Sequence, residues 1–372
     1  MLTARQRKTK LKFRRDILNI GRCAWSVLMI WAGFLLHGLL TVSNTIDLQS
    51  SEMVIEVSKN RPTLAKETHW CIVASKFLPK NTRAHFSHFP HAAEIILPCW
   101  SYFMEQEATG NCGFYFANEK QFQLSPWPKD LIQAMGCEVK SPSPGKGMDK
   151  KGFVDELPKN DVQFIPNTYL LRPRLEYIRY LNSPSHAHAL RRLFVSDDYI
   201  WSKKGNGKPL QIGMIQRGES RRIGNFDEIK DGIQEAIPSA DIICTNFQFN
   251  TVTEQAEWFA TKDVVVAAHG AALTNSVFVT PGTIIMQMYP PGYFWQSLDP
   301  LIEQSGGHAI QWYKKGGNPA VEAGLLDNNL FNIAGKATFS PPIDEVVQPL
   351  LYTLGIERPT GMKIKKLFGD WM

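Results

Sequence analysis

The densest group of reactive side chains in the chain is Gln216-Arg217-Gly218-Glu219-Ser220-Arg221-Arg222-Ile223-Gly224-Asn225. Three arginines within a few positions can grip phosphate oxygens through paired N–H donors. The same run also suits a solvated charged loop. A second group is Val264-Val265-Val266-Ala267-Ala268-His269-Gly270-Ala271-Ala272-Leu273-Thr274-Asn275. Here an apolar run ends at His-Gly, and small residues follow that let a ligand approach the backbone. A helix starting at this point presents unpaired N–H groups and positive partial charge, which suit a diphosphate. A tight strand–helix turn that binds nothing fits these residues equally well. A third group is His85, His88 and His91, spaced by three, with Glu94 and Pro98 beyond them. On a helix the first and third histidines stand about 240° apart, so the spacing argues against a shared metal.

The elements that must position these groups alternate. Gln211 to Ile215 reads as a strand. Asn225 and Glu228 have capping-box spacing for a helix to about Ala236. Asp241 to Cys244 is a short strand, and Thr251 with Glu254 repeats the capping-box spacing for a helix through Phe259. Asp263 to Ala268 is a buried strand, His269-Gly270 turns the chain into a helix through Phe278, and Gly282 to Met288 is the next strand. Such alternation means βαβ units and a parallel sheet. Both reactive segments then follow strands, at the edge where open α/β sheets take ligands. Upstream, Trp70 to Ala74 reads as the first strand of an earlier α/β unit.

Missing motifs narrow the chemistry. There is no D-x-D to hold a metal through paired carboxylates, no G-x-S-x-G nucleophile elbow, and no Walker A or G-x-G-x-x-G fingerprint. The pattern favours stabilising a leaving group by arginines and a helix dipole, without metal.

Taken in order, R-x-x-x-R-R-I-x-N-x-x-E (Arg217 to Glu228), T-E-Q (Thr253 to Gln255) and H-G-A-A-L-T-N-x-x-F (His269 to Phe278) resemble glycosyltransferase family 61. That family includes plant xylosyl- and arabinosyltransferases and animal O-linked N-acetylglucosaminyltransferases. The resemblance covers roughly Leu210 to Trp312 and implies a GT-B architecture of two Rossmann-like α/β domains. It implies an inverting transfer from a UDP-sugar to a glycan or glycoprotein acceptor, with no cofactor. On the donor side it points to Arg217, Arg221, Arg222, Asn225, Glu254, His269, Gly270, Ala271, Leu273, Thr274 and Asn275. The family often has a glutamate in the strand after the H-G-A motif; the matching position here is Gln287, whose amide is a neutral partner for a ribose or sugar hydroxyl. Members also carry a histidine, an acid and then a proline in the first domain. Inverting transfer needs a proton acceptor there, so Glu94, His88 and His91 are the candidate bases, with Glu94 first. The alternative is a lumenal sugar- or nucleotide-binding pseudoenzyme on the same fold.

The net charge of +6 is not a nucleic-acid signal. Arg5, Arg7, Lys8, Lys10, Lys12, Arg14 and Arg15 account for seven positives, leaving −1 for residues 16–372. Directly after this tail, the 24 residues from Cys23 to Ile46 contain no Asp, Glu, Lys or Arg. That length spans a bilayer, and the basic flank places the N-terminus in the cytosol. Cleavage after Thr41-Val42-Ser43 is the rival reading. The expected organisation is a cytosolic tail (1–22), a signal anchor (23–46), a stem (47–66), an acceptor-side domain (67–200), a nucleotide-sugar domain (201–345) and a C-terminal helix packing back (346–372). The expected location is the Golgi or endoplasmic reticulum membrane, with a lumenal body. Of six cysteines, Cys23 lies in the anchor; the five beyond it are odd in number, so at least one is free or pairs between chains.

Overall fold

The computed structural model describes residues 67–73, 89–116, 126–141, 154, 156–158, 160–164, 179–293, 298–313, 333 and 335–356. The chain divides into two compact units, Met1–Thr63 and Leu64–Met372, and all described residues belong to the second. Among the described residues no helix is long and apolar enough to cross a membrane. The expected tail, anchor and stem lie outside them, as do His85 and His88.

Two parallel sheets carry the fold. The first is built from β1 (His69–Val73), β2 (Cys112–Phe116), β3 (Glu138–Lys140) and β4 (Val162–Phe164), in the order β3-β2-β1-β4. Helices α1 (Phe89–Glu105) and α2 (Pro126–Ala134) connect its strands. Helices α3 (Pro184–Arg192) and α4 (Asp197–Lys204) lead to the second sheet. That sheet has β5 (Gln211–Ile215), β6 (Asp241–Thr245), β7 (Val264–Ala268), β8 (Ile284–Tyr289) and β9 (His308–Tyr313), in the order β6-β5-β7-β8-β9. Its connections contain α5 (Phe226–Ala236), α6 (Val252–Ala260), a 3₁₀ helix (Ala271–Phe278) and α7 (Asp299–Gln304); α8 (Ile343–Thr353) follows β9.

The central strands are apolar without alternation because both faces are covered, as parallel sheets require. Every residue of β7 and β8 is buried. On one face Val264, Val266, Met286 and Met288 meet Ile229 and Ile233 of α5 and Val346, Val347 and Leu350 of α8. On the other, Val265, Ala267 and Ile285 join a core that continues into the first sheet through Leu273 and Val277 of the 3₁₀ helix, Trp127 of α2 and Ile96 of α1. The seam also carries a buried hydrogen bond, Trp127 Nε1 donating to Asn275 Oδ1 at 2.9 Å.

One capping box forms as its spacing requires. Thr251 Oγ1 accepts from the Glu254 N–H at 3.1 Å, while Glu254 Oε2 accepts from Thr251 N at 3.1 Å and Asn250 N at 2.9 Å. The box expected at Asn225 and Glu228 does not form. Asn225 makes no cap and instead donates through Nδ2 to Pro341 O at 2.7 Å. A chain segment beside it explains the difference: Phe339 bridges Ile223, and Gly224 N donates to Phe339 O at 2.7 Å. The helix expected after His269-Gly270 is also altered. It is 3₁₀ throughout, and its first turn closes with Leu273 N donating to Gly270 O at 3.0 Å.

Two disulfides staple the first sheet, Cys71 of β1 to Cys99 of α1 and Cys112 of β2 to Cys137 ahead of β3; Cys244 is free and exposed. This pairing gives the odd cysteine expected beyond residue 46. The closed loops have sequence separations of 28 and 25. Cross-links of that reach restrict the unfolded chain by roughly 3 kcal/mol each. Replacing Cys112 and Cys137 together by serine should therefore destabilise the protein by about 3 kcal/mol in urea unfolding. An unchanged midpoint would show that this cross-link does not form in solution.

Candidate functional site

The site lies at the carboxyl edge of the second sheet, where β5, β7 and β8 end side by side. Directly after β5, Gln216 ties the arginine loop shut. Its Oε1 accepts from Arg217 N at 3.0 Å and Ile223 N at 3.2 Å, and its Nε2 donates to Ile223 O at 2.8 Å. Within the loop, Arg217 donates from Nε to Ser220 O at 2.9 Å and from Nη2 to Ser220 Oγ at 3.0 Å. The remaining Arg217 nitrogen lies against Gly270, so closely that any Cβ at position 270 would overlap the guanidinium. Glycine is required there by this approach and not by dihedral angles, since φ of Gly270 is 170°.

Arg221 reaches the same place from the far side of the loop. Its φ of 54° is left-handed, uncommon for a residue with a Cβ and costing of order 1 kcal/mol. Its Nη1 donates to the Tyr293 hydroxyl at 2.5 Å, and its guanidinium carbon stands 4.9 Å from the Tyr293 ring centroid. Tyr293 is delivered by the turn Pro290-Pro291-Gly292-Tyr293, closed by Tyr293 N donating to Pro290 O at 3.0 Å. Proline then glycine at the two central positions, the glycine with φ 79°, is the type II pattern.

Positive charge dominates this end of the sheet. Burial, followed by the neighbouring Arg221, pulls the Arg217 pKa down to about 10. No carboxylate contributes to that shift, and no ion pair to Arg217 or Arg221 occurs among the described residues. Two guanidiniums held together without a counter-charge have the chemistry to hold an anion.

His269 forms the floor. Its ring is 5 % exposed, stacks on Tyr289 at 5.0 Å and lies 5.9 Å from Tyr293. Burial above all, and the two arginines in addition, lowers its pKa to about 3, so it is neutral. His269 Nδ1 is 3.0 Å from Gln287 Oε1. Gln287 Nε2 donates to Asp299 Oδ1, and Gln311 Nε2 to Asp299 Oδ2. Gln287 and Gln311 are register partners on β8 and β9. Burial raises the Asp299 pKa to about 7, outweighing the two amide donors that favour the charged form.

Of the donor-side residues expected from sequence, Arg217, Arg221, His269 and Gly270 are brought together. Ala271 is half-buried next to Gly270. Arg222 is exposed, and its carbonyl accepts from Phe339 N at 3.0 Å. Glu254 is committed to its capping box and Asn225 to Pro341. Leu273 is core, Thr274 is fully buried, and Asn275 is held by Trp127 and by Ala272 O. Gln287 is fully buried between His269 and Asp299. On α1, His91 Nδ1 and Glu94 Oε2 are 3.5 Å apart, while the charges acting on Arg217 come from Arg221 and Tyr293, and those acting on His269 from Arg221 and Arg217. Sequence reasoning missed Asp299 and Gln311. Their only signal was a parallel β8–β9 register that places positions 287 and 311 opposite each other.

The paired arginines thus lie at the edge where open parallel α/β sheets take their ligands. Residues 70–286 match the family Glycosyltransferase 61, more than half of the chain, and the protein belongs to that family. A relative from Xenopus laevis, EGF domain-specific O-linked N-acetylglucosamine transferase, is 24% identical over 144 residues, covering 34% of this chain and 26% of its own length. The chain thus matches about a quarter of that relative.

His269 and Asp299 oppose each other in pH dependence. His269 titrates at 6.5 when unfolded and about 3 when folded, so its contribution is present above 6.5 and lost as pH falls. Asp299 moves from 3.8 to about 7, so its contribution is present below 3.8 and lost as pH rises. Between pH 3.8 and 6.5 the two slopes offset. Asp299→Asn should leave the His269 slope alone, making stability rise with pH by up to about 1.4 kcal/mol per unit relative to wild type. His269→Asn should give the reverse. Urea midpoints measured across that range check both signs; parallel curves for all three proteins would contradict the assignment.

Proposed function

We propose that this protein is an inverting glycosyltransferase that moves a sugar from a UDP-sugar to a glycan or glycoprotein acceptor in the lumen of the secretory pathway. The observation that carries the reading is the pairing of Arg217 and Arg221 beside Gly270 with no carboxylate counter-charge. A nucleoside diphosphate is the anion a family 61 glycosyltransferase releases, and two guanidiniums at a strand edge stabilise its developing charge. That arrangement and the missing D-x-D support metal-independent catalysis. The proton of the acceptor hydroxyl goes to Glu94 or His91 on α1, or to His88 just ahead of it. The relative's name makes N-acetylglucosamine the first sugar to test, with xylose and arabinose next. A lumenal setting is supported by the two disulfides and by the basic tail and apolar run of residues 1–46, which would make a GT-B body on a type II anchor.

UDP should raise the melting temperature in a concentration-dependent way and bind in calorimetry. Arg217→Ala should weaken UDP by roughly thirtyfold or more, the scale of a lost charge-assisted contact. The ligand-free variant should melt no lower than wild type, because a desolvated guanidinium without a carboxylate is removed. Undiminished UDP affinity in that variant would remove Arg217 from the site. Sugar transfer should persist in EDTA; complete loss restored by manganese would show that a metal takes the leaving group. UDP binding with neither transfer nor donor hydrolysis would favour the binding-protein alternative.

A further inference from the structure

The chain of buried amides behind His269 has a definite hydrogen-bond direction. Asp299 has both carboxylate oxygens occupied by N–H donors, one from Gln287 and one from Gln311. With its nitrogen facing Asp299, the Gln287 amide must turn its oxygen toward His269 Nδ1. An amide oxygen only accepts, so Nδ1 carries the proton. A neutral imidazole protonated there has a lone pair on Nε2, and Nε2 has no hydrogen-bond partner among the described residues. This nitrogen belongs to a ring 5.9 Å from Tyr293, whose hydroxyl is held by Arg221. An acceptor beside two cations cannot bind phosphate oxygen, which is itself an acceptor. It suits an O–H on the molecule that carries the phosphate.

We infer that Asp299 is a positioning residue which, through Gln287, fixes His269 in its Nδ1-protonated form so that Nε2 accepts a hydroxyl of the nucleotide bound at Arg217 and Arg221. The hydroxyl part rests on the donor-site reading above; the tautomer part rests only on Asp299, Gln287 and His269. Gln311 completes the arrangement by occupying the second carboxylate oxygen, which leaves Asp299 one oxygen for Gln287 and no freedom to rotate away.

The test uses the full chain labelled with ¹⁵N-histidine at pH 8, with His269→Asn identifying the His269 ring signals. Wild type should show a single neutral tautomer, protonated on Nδ1. Asp299→Asn gives the Gln287 amide a partner that both donates and accepts, so the amide can turn over. The Nε2-protonated form should then grow by about tenfold, the effect of one hydrogen bond. An Nε2-protonated or doubly protonated His269 in wild type overturns the inference, as does an unchanged tautomer in Asp299→Asn. Should that variant fail to fold, Gln287→Met carries the same expectation and the wild-type spectrum still decides. Calorimetry with two probes then tests the hydroxyl. Asp299→Asn should weaken UDP by about tenfold and leave pyrophosphate, which has no hydroxyl to read, unchanged. Equal losses for both probes, or for neither, overturn the hydroxyl contact. Failure of UDP to bind wild type at all would sink the donor reading, while the ring spectra would still decide Asp299.

Discussion

The close approach of the Arg217 guanidinium to Gly270 is the constraint on which the rest of the site depends. A guanidinium loses hydration there without gaining a carboxylate, which is unfavourable. The loop tolerates it because its ends are tied by Gln216 and its interior by Ser220. Arg221 adds a second cation and a left-handed backbone. Strain and unbalanced charge meet in one short loop, a cost that a bound anion would relieve. His269 is neutral first because it is almost fully buried, and the same two arginines add to the cost of a third cation there.

The surroundings are organised to hold this loop still. β5 and β7 are paired in register up to Ile215 and Ala267, so the segments after them emerge next to each other. The 3₁₀ helix that follows Gly270 is inserted between the two sheets, with Leu273 and Val277 in the common core and Asn275 bonded to Trp127. The turn that meets Arg217 is thus also the piece that joins the second sheet to α1 and α2. Displacement of those helices cannot leave Gly270 unmoved. This ties the edge carrying Arg217 and Arg221 to the helix carrying His91 and Glu94 by packing.

Much of the second sheet was legible in its sequence because each strand is a short apolar run and each helix start has a marker. β5, β6, β7 and β8 appear within a residue or two of where their patterns place them. Where the reading departed, a distant segment intervened. Asn225 has the residue type and spacing of a cap, but Pro341, more than a hundred positions away, takes its amide. Glu254, Asn225 and Asn275 carry motif positions, and all three make hydrogen bonds to the backbone or across the sheet seam. Motifs mark such residues equally with ligand-binding ones, because both kinds fix the same turn. The Arg217–Gly270 contact is a through-space relation that no local pattern encodes, although both partners lay in the two segments that stood out.

Gln287 shows why residue type alone misleads. Read along the chain, a glutamine at the end of β8 suggests a neutral hand for a ligand hydroxyl. In the fold it is fully buried, and its two ends face different partners. Its amide transmits a direction: a carboxylate accepting at one end dictates an accepting oxygen at the other. The carboxyl group that sets this direction is that of Asp299, on α7, and it is ionised above about pH 7. A carboxylate at position 287 would stand against His269 and raise its proton affinity, and would also begin to neutralise the arginine pair from behind. Interposing an amide keeps the orienting effect of the charge on His269 while leaving Arg217 and Arg221 uncompensated. The site thereby combines a fixed hydrogen-bond acceptor with an undiminished positive field, two properties that a directly contacting carboxylate would set against each other.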